Sequence, residues 1–256
     1  MTIRRLIREH IITPNRAARF ISKIASLAAP DYLFRFTATI KSQAAPLRSF
    51  YLEKMLQEFK TPIKALEIGT WFGEGSTAVF RKNLLPGSSL YLLDAWRPYF
   101  RGDDLNFPYY QNMNFLSFAA LHNVITKQFA IEESGTLIST NIIRAESRDF
   151  LGELKENSFD LIYIDGDHTY HAVKTDISHA KKLVKKNFGI ICGDDLEVRP
   201  TPENVEKAYK SNLEIDSTKE FHAGVLLAVY EEFQEVNMNS GFWWIFCVNG
   251  EFKTHT

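Results

Sequence analysis

The run ALEIGTWFGEGS, residues 65–76, leads from a short apolar stretch into a turn with three glycines and then to a serine able to open a helix. An apolar run of strand length that ends in such a turn is the opening unit of a parallel α/β sheet. Its glycines let a ligand approach the backbone closely. Further along, LYLLDAW at 90–96 forms a second strand-like run that ends in Asp94, twenty-five residues after Gly69. An acid at that sheet edge commonly meets ribose hydroxyls.

From Pro62 onward, apolar runs at 65–68, 90–93, 141–145, 161–164 and 188–192 alternate with helical stretches at 76–82, 115–127, 148–155, 171–186 and 225–233. This alternation predicts a Rossmann-like, doubly wound, mostly parallel seven-stranded sheet over residues 61–256. The apolar run 242–248 is too hydrophobic for an exposed edge and is expected to insert into the sheet. Its partner is either 234–238 or, across Asn249-Gly250, the tail after Glu251. Residues 1–60 read as a helical extension punctuated by prolines, serving as a cap, an oligomer face or a membrane-surface segment.

The chain has 256 residues, 45% hydrophobic and 24% charged, which suits one catalytic domain with a sizeable core. Residues 1–60 hold eleven Lys and Arg against four Asp and Glu, a surplus of +7 that leaves −8 on the remainder. A net-acidic catalytic part without a basic stripe argues against nucleic acid as partner. The basic stretch 1–28 suits peripheral contact with anionic lipid, and an apolar face there would equally serve a homo-oligomer. No run reaches membrane-span length, Arg4, Arg5 and Arg8 lead into no secretory core, and Cys192 and Cys247 sit in apolar runs as reduced thiols. The expected location is cytoplasmic. The aromatic-rich connection 97–113 stands where an acceptor lid would form.

Two features carry chemistry. Glu67, two residues before the first glycine, would repel a pyrophosphate at the helix terminus, yet suits a cofactor with a cationic amino acid portion. FDLIYIDGDHTYHAVKTD at 159–176 and GIICGDDL at 189–196 both end apolar runs in acids. Adjacent strands lie about 4.8 Å apart, so Asp165, Asp194 and Asp195 can converge on one ion. Three carboxylates with open positions suit Mg²⁺. Their competing reading is as caps of the following helices. His168 follows directly and could take a proton or bind the metal.

At these clusters the sequence resembles the class I S-adenosylmethionine-dependent methyltransferases, within them the small-molecule O-methyltransferases that include macrolide-sugar and aminocoumarin-sugar enzymes and cephalosporin-hydroxylase-like proteins. The resemblance spans roughly 62–248 and rests on IDGDHTYHAVKTD, GDD, LEIGTWFGEGS and HAGVLLAVYEEF. It implies that Glu67, Gly69, Thr70, Gly73 and Ser76 line the cofactor loop, that Asp94 meets the ribose and that Ser147 lies beside the adenine. It also implies that Asp165, which borders the cofactor, joins Asp194 and Asp195 as metal ligands for Mg²⁺ or another divalent cation, with Asp167 or His168 as base. The implied acceptor is a small molecule, sugar or glycan. Competing classes are an NAD-dependent oxidoreductase, a metal hydrolase and a non-catalytic cofactor-binding subunit.

Overall fold

A computed structural model describes residues 46–97, 113–133, 135, 137–214, 218 and 220–255. The expected basic segment 1–28 and all but the ends of the 97–113 connection lie outside them. The chain divides into two compact units, one of residues 45–71, 75–96 and 137–256, the other including 72–74 and 97–136.

In the larger unit, helix α1 (Pro46–Gln57) precedes strand β1 (Lys64–Ile68), helix α2 (Ser76–Asn83) and strand β2 (Ser89–Asp94). The smaller unit contains α3 (Met113–Glu133). There Asn123 donates to the Phe72 carbonyl at 2.7 Å and to Glu74 at 2.9 Å. The larger unit resumes with β3 (Ser139–Arg144), a short α4 (Ser147–Phe150), a 3₁₀ turn at Leu151–Glu153, and β4 (Leu161–Ile164). Then come α5 (Tyr170–Leu183), β5 (Phe188–Leu196), α6 (Pro202–Tyr209) and α7 (Ala223–Phe233). Strands β6 (Asn237–Asn239), β7 (Gly241–Val248) and β8 (Glu251–Lys253) complete it.

The sheet order is β3-β2-β1-β4-β5-β7-β6, with β8 added beside β7. Strands β3, β2, β1, β4 and β5 run parallel, whereas β7 is antiparallel to β5. The Rossmann-like sheet is therefore as expected, with the order reversing at β1 and β4, where such sheets bind ligands beyond the carboxyl ends of their strands. The open question about β7 resolves to both partners: Asn237–Asn239 and Glu251–Lys253 each pair with it.

Hydrophobic burial explains why these elements stay in place. All four residues of β4 are buried, as a strand covered on both faces requires. Helix α5 buries Val173, Ile177, Ala180 and Leu183, the repeat of one helix face, and α7 is buried from Ala223 through Val229. Each fully buried Leu, Ile or Phe contributes about 1.5–3 kcal/mol.

Three expectations change. The helix expected at 148–155 is one short turn and a 3₁₀ turn, with Gly152, a weak helix former, in the second. Helix α6 was not expected, although Thr201 caps it by accepting from the Asn204 amide and Pro202 opens it. Strand β5 extends to Leu196, so Asp194 and Asp195 lie inside the strand and not just past it.

Candidate active site

The glycine turn is organised by acids. Gly69 has φ +85°, and a Cβ there would lie 1.9 Å from the Asp165 carbonyl oxygen. Only glycine permits that approach, so the β1 turn rests directly on the end of β4. Glu67 is fully buried, and its two oxygens accept from the Ser76 and Thr77 hydroxyls, the latter at 2.7 Å. Burial pushes its carboxyl up to about 7, against the lowering effect of those hydroxyls. Glu67 thus sits beneath the head of α2, where it opposes an anion.

Asp94 accepts from the backbone amides of Thr70 and Trp71 at 2.9 and 2.8 Å through one oxygen, and from Trp96 at 2.7 Å through the other. Burial raises its pKa despite these three donors. Trp71 and Trp96 hold left-handed backbones, φ 48° and 39°, and the Trp96 indole closes the arrangement by donating to the Trp71 carbonyl at 2.8 Å. Amides that would face a phosphate in a dinucleotide cradle are turned here onto a carboxylate. The turn therefore suits a ligand without a pyrophosphate. Gly73, with φ +69°, belongs to the smaller unit. Ser147 heads α4, half-buried, on the side of Asp176 of α5, whose charged form its hydroxyl favours.

At the ends of β4 and β5, six side chains gather. A register shift between Gly193 and Leu196 accompanies φ +61° at Asp195. Successive strand residues normally point to opposite faces, but this bulge turns both acids toward one cation. That cation is Arg48 on α1: one guanidinium nitrogen lies 2.6 Å from Asp194 and the other 3.0 Å from Asp195. The Tyr163 hydroxyl lies 3.3 Å from Asp165 and 3.4 Å from Asp194. His168 Nε2 lies 3.1 Å from Asp195 and 3.6 Å from Asp165.

Counted as fully ionised, the three carboxylates outnumber the one guanidinium, and the cluster answers by holding protons. Burial, then Asp165 and Asp195, push the Asp194 carboxyl up to about 8, with Arg48 opposing. Asp165 is raised by burial and by Asp195, against His168 and Arg48. Burial alone would lower Arg48, yet Asp194, Asp195 and Asp165 outweigh it and raise its pKa. A cluster of three carboxylates and one guanidinium favours a further cation.

The expected trio of ligands meets that need only in part. Arg48 engages Asp194 and one oxygen of Asp195. Among the described residues, the group whose ligand atoms lie within 4.8 Å of one another is His168, Asp195 and His222. Two histidines and a carboxylate fit a divalent ion. Asp167, the other expected base, accepts from the Thr169 amide at 2.9 Å at the start of α5. Tyr170 and Lys174 form a cluster with Glu231, in which Tyr170 donates to Glu231 at 2.6 Å. Arg148 is exposed and lies 3.7 Å from Asp149. Sequence reasoning missed Arg48 and His222. His222 is the first letter of the quoted HAGVLLAVYEEF, where it carried no assigned role, and Arg48 lies N-terminal to the 62–248 resemblance.

A parallel sheet whose order reverses at β1 and β4, with a glycine turn at that point, defines the Rossmann-like class of fold. A family profile described as "Methyltransferase domain" matches residues 66–196, and the chain belongs to that family. Comparison with curated proteins finds no match. The O-methyltransferase from Bacillus cereus, solved in complex with SAH, is 16% identical, with 95% of this chain and 96% of that one covered at a TM-score of 0.51. A putative O-methyltransferase from Klebsiella pneumoniae is 18% identical over 90% and 96%, at 0.49.

Proposed function

We propose that the protein moves a methyl group from S-adenosylmethionine to a hydroxyl of a small molecule, sugar or glycan. The carrying observation is the contact of Gly69 with Asp165, which sets the glycine turn against the acidic strand ends within one methyltransferase-family fold. S-adenosylmethionine supplies an electrophilic methyl on a positively charged sulfur. Around it, Glu67 and Asp94 hold the turn, disfavour an anion and leave the β1–β2 edge for the cofactor's ribose. Ser147, at the head of α4, lies just past the end of β3 for the adenine.

The acceptor hydroxyl gives its proton to Asp167 or His168 as its oxygen bonds to the methyl carbon. The carbon–sulfur electron pair leaves with sulfur. Asp165 and Asp195 beside His168 Nε2 stabilise an imidazolium and fix the ring's orientation. A divalent cation at this edge would lower the hydroxyl's pKa and orient two neighbouring acceptor oxygens. Positioning and charge stabilisation are the enzyme's main contributions.

The test incubates the protein with methyl-labelled S-adenosylmethionine, divalent metal and fractionated cell extract, with product identified by mass spectrometry. A labelled methyl ether is the expected outcome. Calorimetry with S-adenosylhomocysteine against NADH separates the oxidoreductase alternative: binding of NADH alone would refute the proposal. Phosphate release without added S-adenosylmethionine would favour a hydrolase, and cofactor binding without any product would favour a non-catalytic subunit. His168→Asn and Asp167→Asn, compared in their pH–rate profiles, distinguish the two bases.

A further inference from the structure

We propose that His168, Asp195 and His222 form a site for a single divalent first-row transition-metal ion such as Mn²⁺, Fe²⁺, Co²⁺ or Zn²⁺, distinct from an all-acid Mg²⁺ site. The site deepens the methyl-transfer reading and rests on it for its catalytic meaning, while its binding of metal is measurable independently. Ligand atoms from the three side chains lie within 4.8 Å of one another, and His168 Nε2 stands 3.1 Å from Asp195 Oδ2. Two ligands at about 2.1 Å from an ion and at right angles to each other lie about 3 Å apart. Little movement is needed to seat an ion there.

Each ligand is already oriented by a neighbour. Arg48 takes Asp195 Oδ1 at 3.0 Å, which presents Oδ2 to His168. Glu197 meets His222 Nδ1 at 2.5 Å and accepts from its backbone amide at 3.2 Å, so Nε2 is the ring nitrogen left for a metal. A carboxylate on the far nitrogen of a histidine ligand is the usual outer partner at metal sites.

The fold brings the two rings together by a close approach. A Cβ on Gly224, near the head of α7, would lie 2.4 Å from the His168 carbonyl oxygen. That glycine lets α7 settle on the 168–170 segment, and the rings of His168 and His222 meet with centroids 4.8 Å apart. Nitrogen donors favour a borderline transition metal over Mg²⁺, which prefers oxygen throughout. Three protein ligands leave positions for two acceptor oxygens. With His168 so engaged, Asp167 takes the acceptor's proton. Arg48 meanwhile explains why Asp194, an expected ligand, stays out of the set: its carboxylate is committed to the guanidinium.

The test strips the full-length protein with chelator and titrates it with Co²⁺, read by visible absorption, and with Mn²⁺, read by loss of the free-ion electron paramagnetic resonance signal. The expected result is one ion per chain. His222→Asn should weaken binding at least 100-fold and Glu197→Gln about 10–100-fold, whereas Asp165→Asn and Asp194→Asn should stay within about threefold of wild type. Should the histidine variant misfold, imidazole ¹⁵N resonances of the wild-type protein answer the same question, with two histidines expected to shift on adding Co²⁺. No ion bound, unmoved imidazole resonances, or binding lost in Asp165→Asn but kept in His222→Asn would overturn the site. Metal bound as expected without methyl transfer to any acceptor would support the site and count against the methyl-transfer reading alone.

Discussion

At the scale of single residues, Gly69 and Asp94 carry the cofactor turn. Substituting Gly69 with alanine places a methyl group 1.9 Å from a backbone oxygen and a side chain at φ +85°. We expect Gly69→Ala to cost about 2–4 kcal/mol, measured by denaturant unfolding. Asp94 acts by its three backbone partners. Asp94→Ala leaves those amides without their acceptor, at about 1–3 kcal/mol, so affinity for S-adenosylhomocysteine should fall about 5–150-fold by calorimetry. Unchanged affinity would show that the turn orders itself without the acid. Both residues were legible in the sequence as glycine and acid at a strand end. Their partners were not: that Gly69 faces Asp165 and that Asp94 faces amides are facts of tertiary contact.

At the scale of elements, α5 carries an acid inside the protein. Asp176 is buried among Val173, Ile177 and Ala180 of the same helix. Burial raises its carboxyl to about 7, against the Ser147 hydrogen bond and with Asp167 and Glu146 adding to the rise. The folded-state value lies above the ordinary 3.8, so folding favours the protonated form. That contribution is fully present below about 3.8 and is lost as pH rises through 7. Asp176→Asn, which is neutral throughout, should therefore gain in melting temperature relative to wild type between pH 5 and about 8, and the gain should vanish toward pH 4. A pH-independent difference would place the acid's charge elsewhere. Periodicity showed α5 as amphipathic, but an aspartate at 176 reads as solvated until the helix is packed.

At the scale of the whole molecule, the described end of the N-terminal extension is part of the catalytic unit. Helix α1 stacks Tyr51 against Phe242 and Trp244 of β7, with ring centroids 6.0 and 5.6 Å apart, and sends Arg48 to the acids of β5. Arg48→Ala should thus lower stability and loosen Asp194 and Asp195. We expect about 1–2 kcal/mol of lost stability at pH 7, because two buried carboxylates lose a guanidinium that is itself 40% exposed and partly screened by solvent, measured by urea unfolding. Arg48→Lys, which cannot fork between two carboxylates, should recover only part of it. Among the described residues no helix is long and apolar enough to cross a membrane. For the basic stretch 1–28, deletion should release the protein from anionic vesicles in co-sedimentation if it is a lipid contact; an unchanged distribution would favour packing or self-association.

The amino-acid sequence by itself determined the alternation of strands and helices, the glycine turn, and the acids at 67, 94, 165, 194 and 195. These follow from local periodicity and from residue chemistry, which need no knowledge of distant partners. Tertiary structure alone decided which charges meet. Arg48 and Asp194 are 146 positions apart, and His222 lies 54 positions beyond His168; only the order of strands and the close seat of α7, through its Gly224, on the 168–170 segment bring them together. The bulge at Asp195 was equally hidden, since a single extra residue in a ladder exists only relative to the strand beside it.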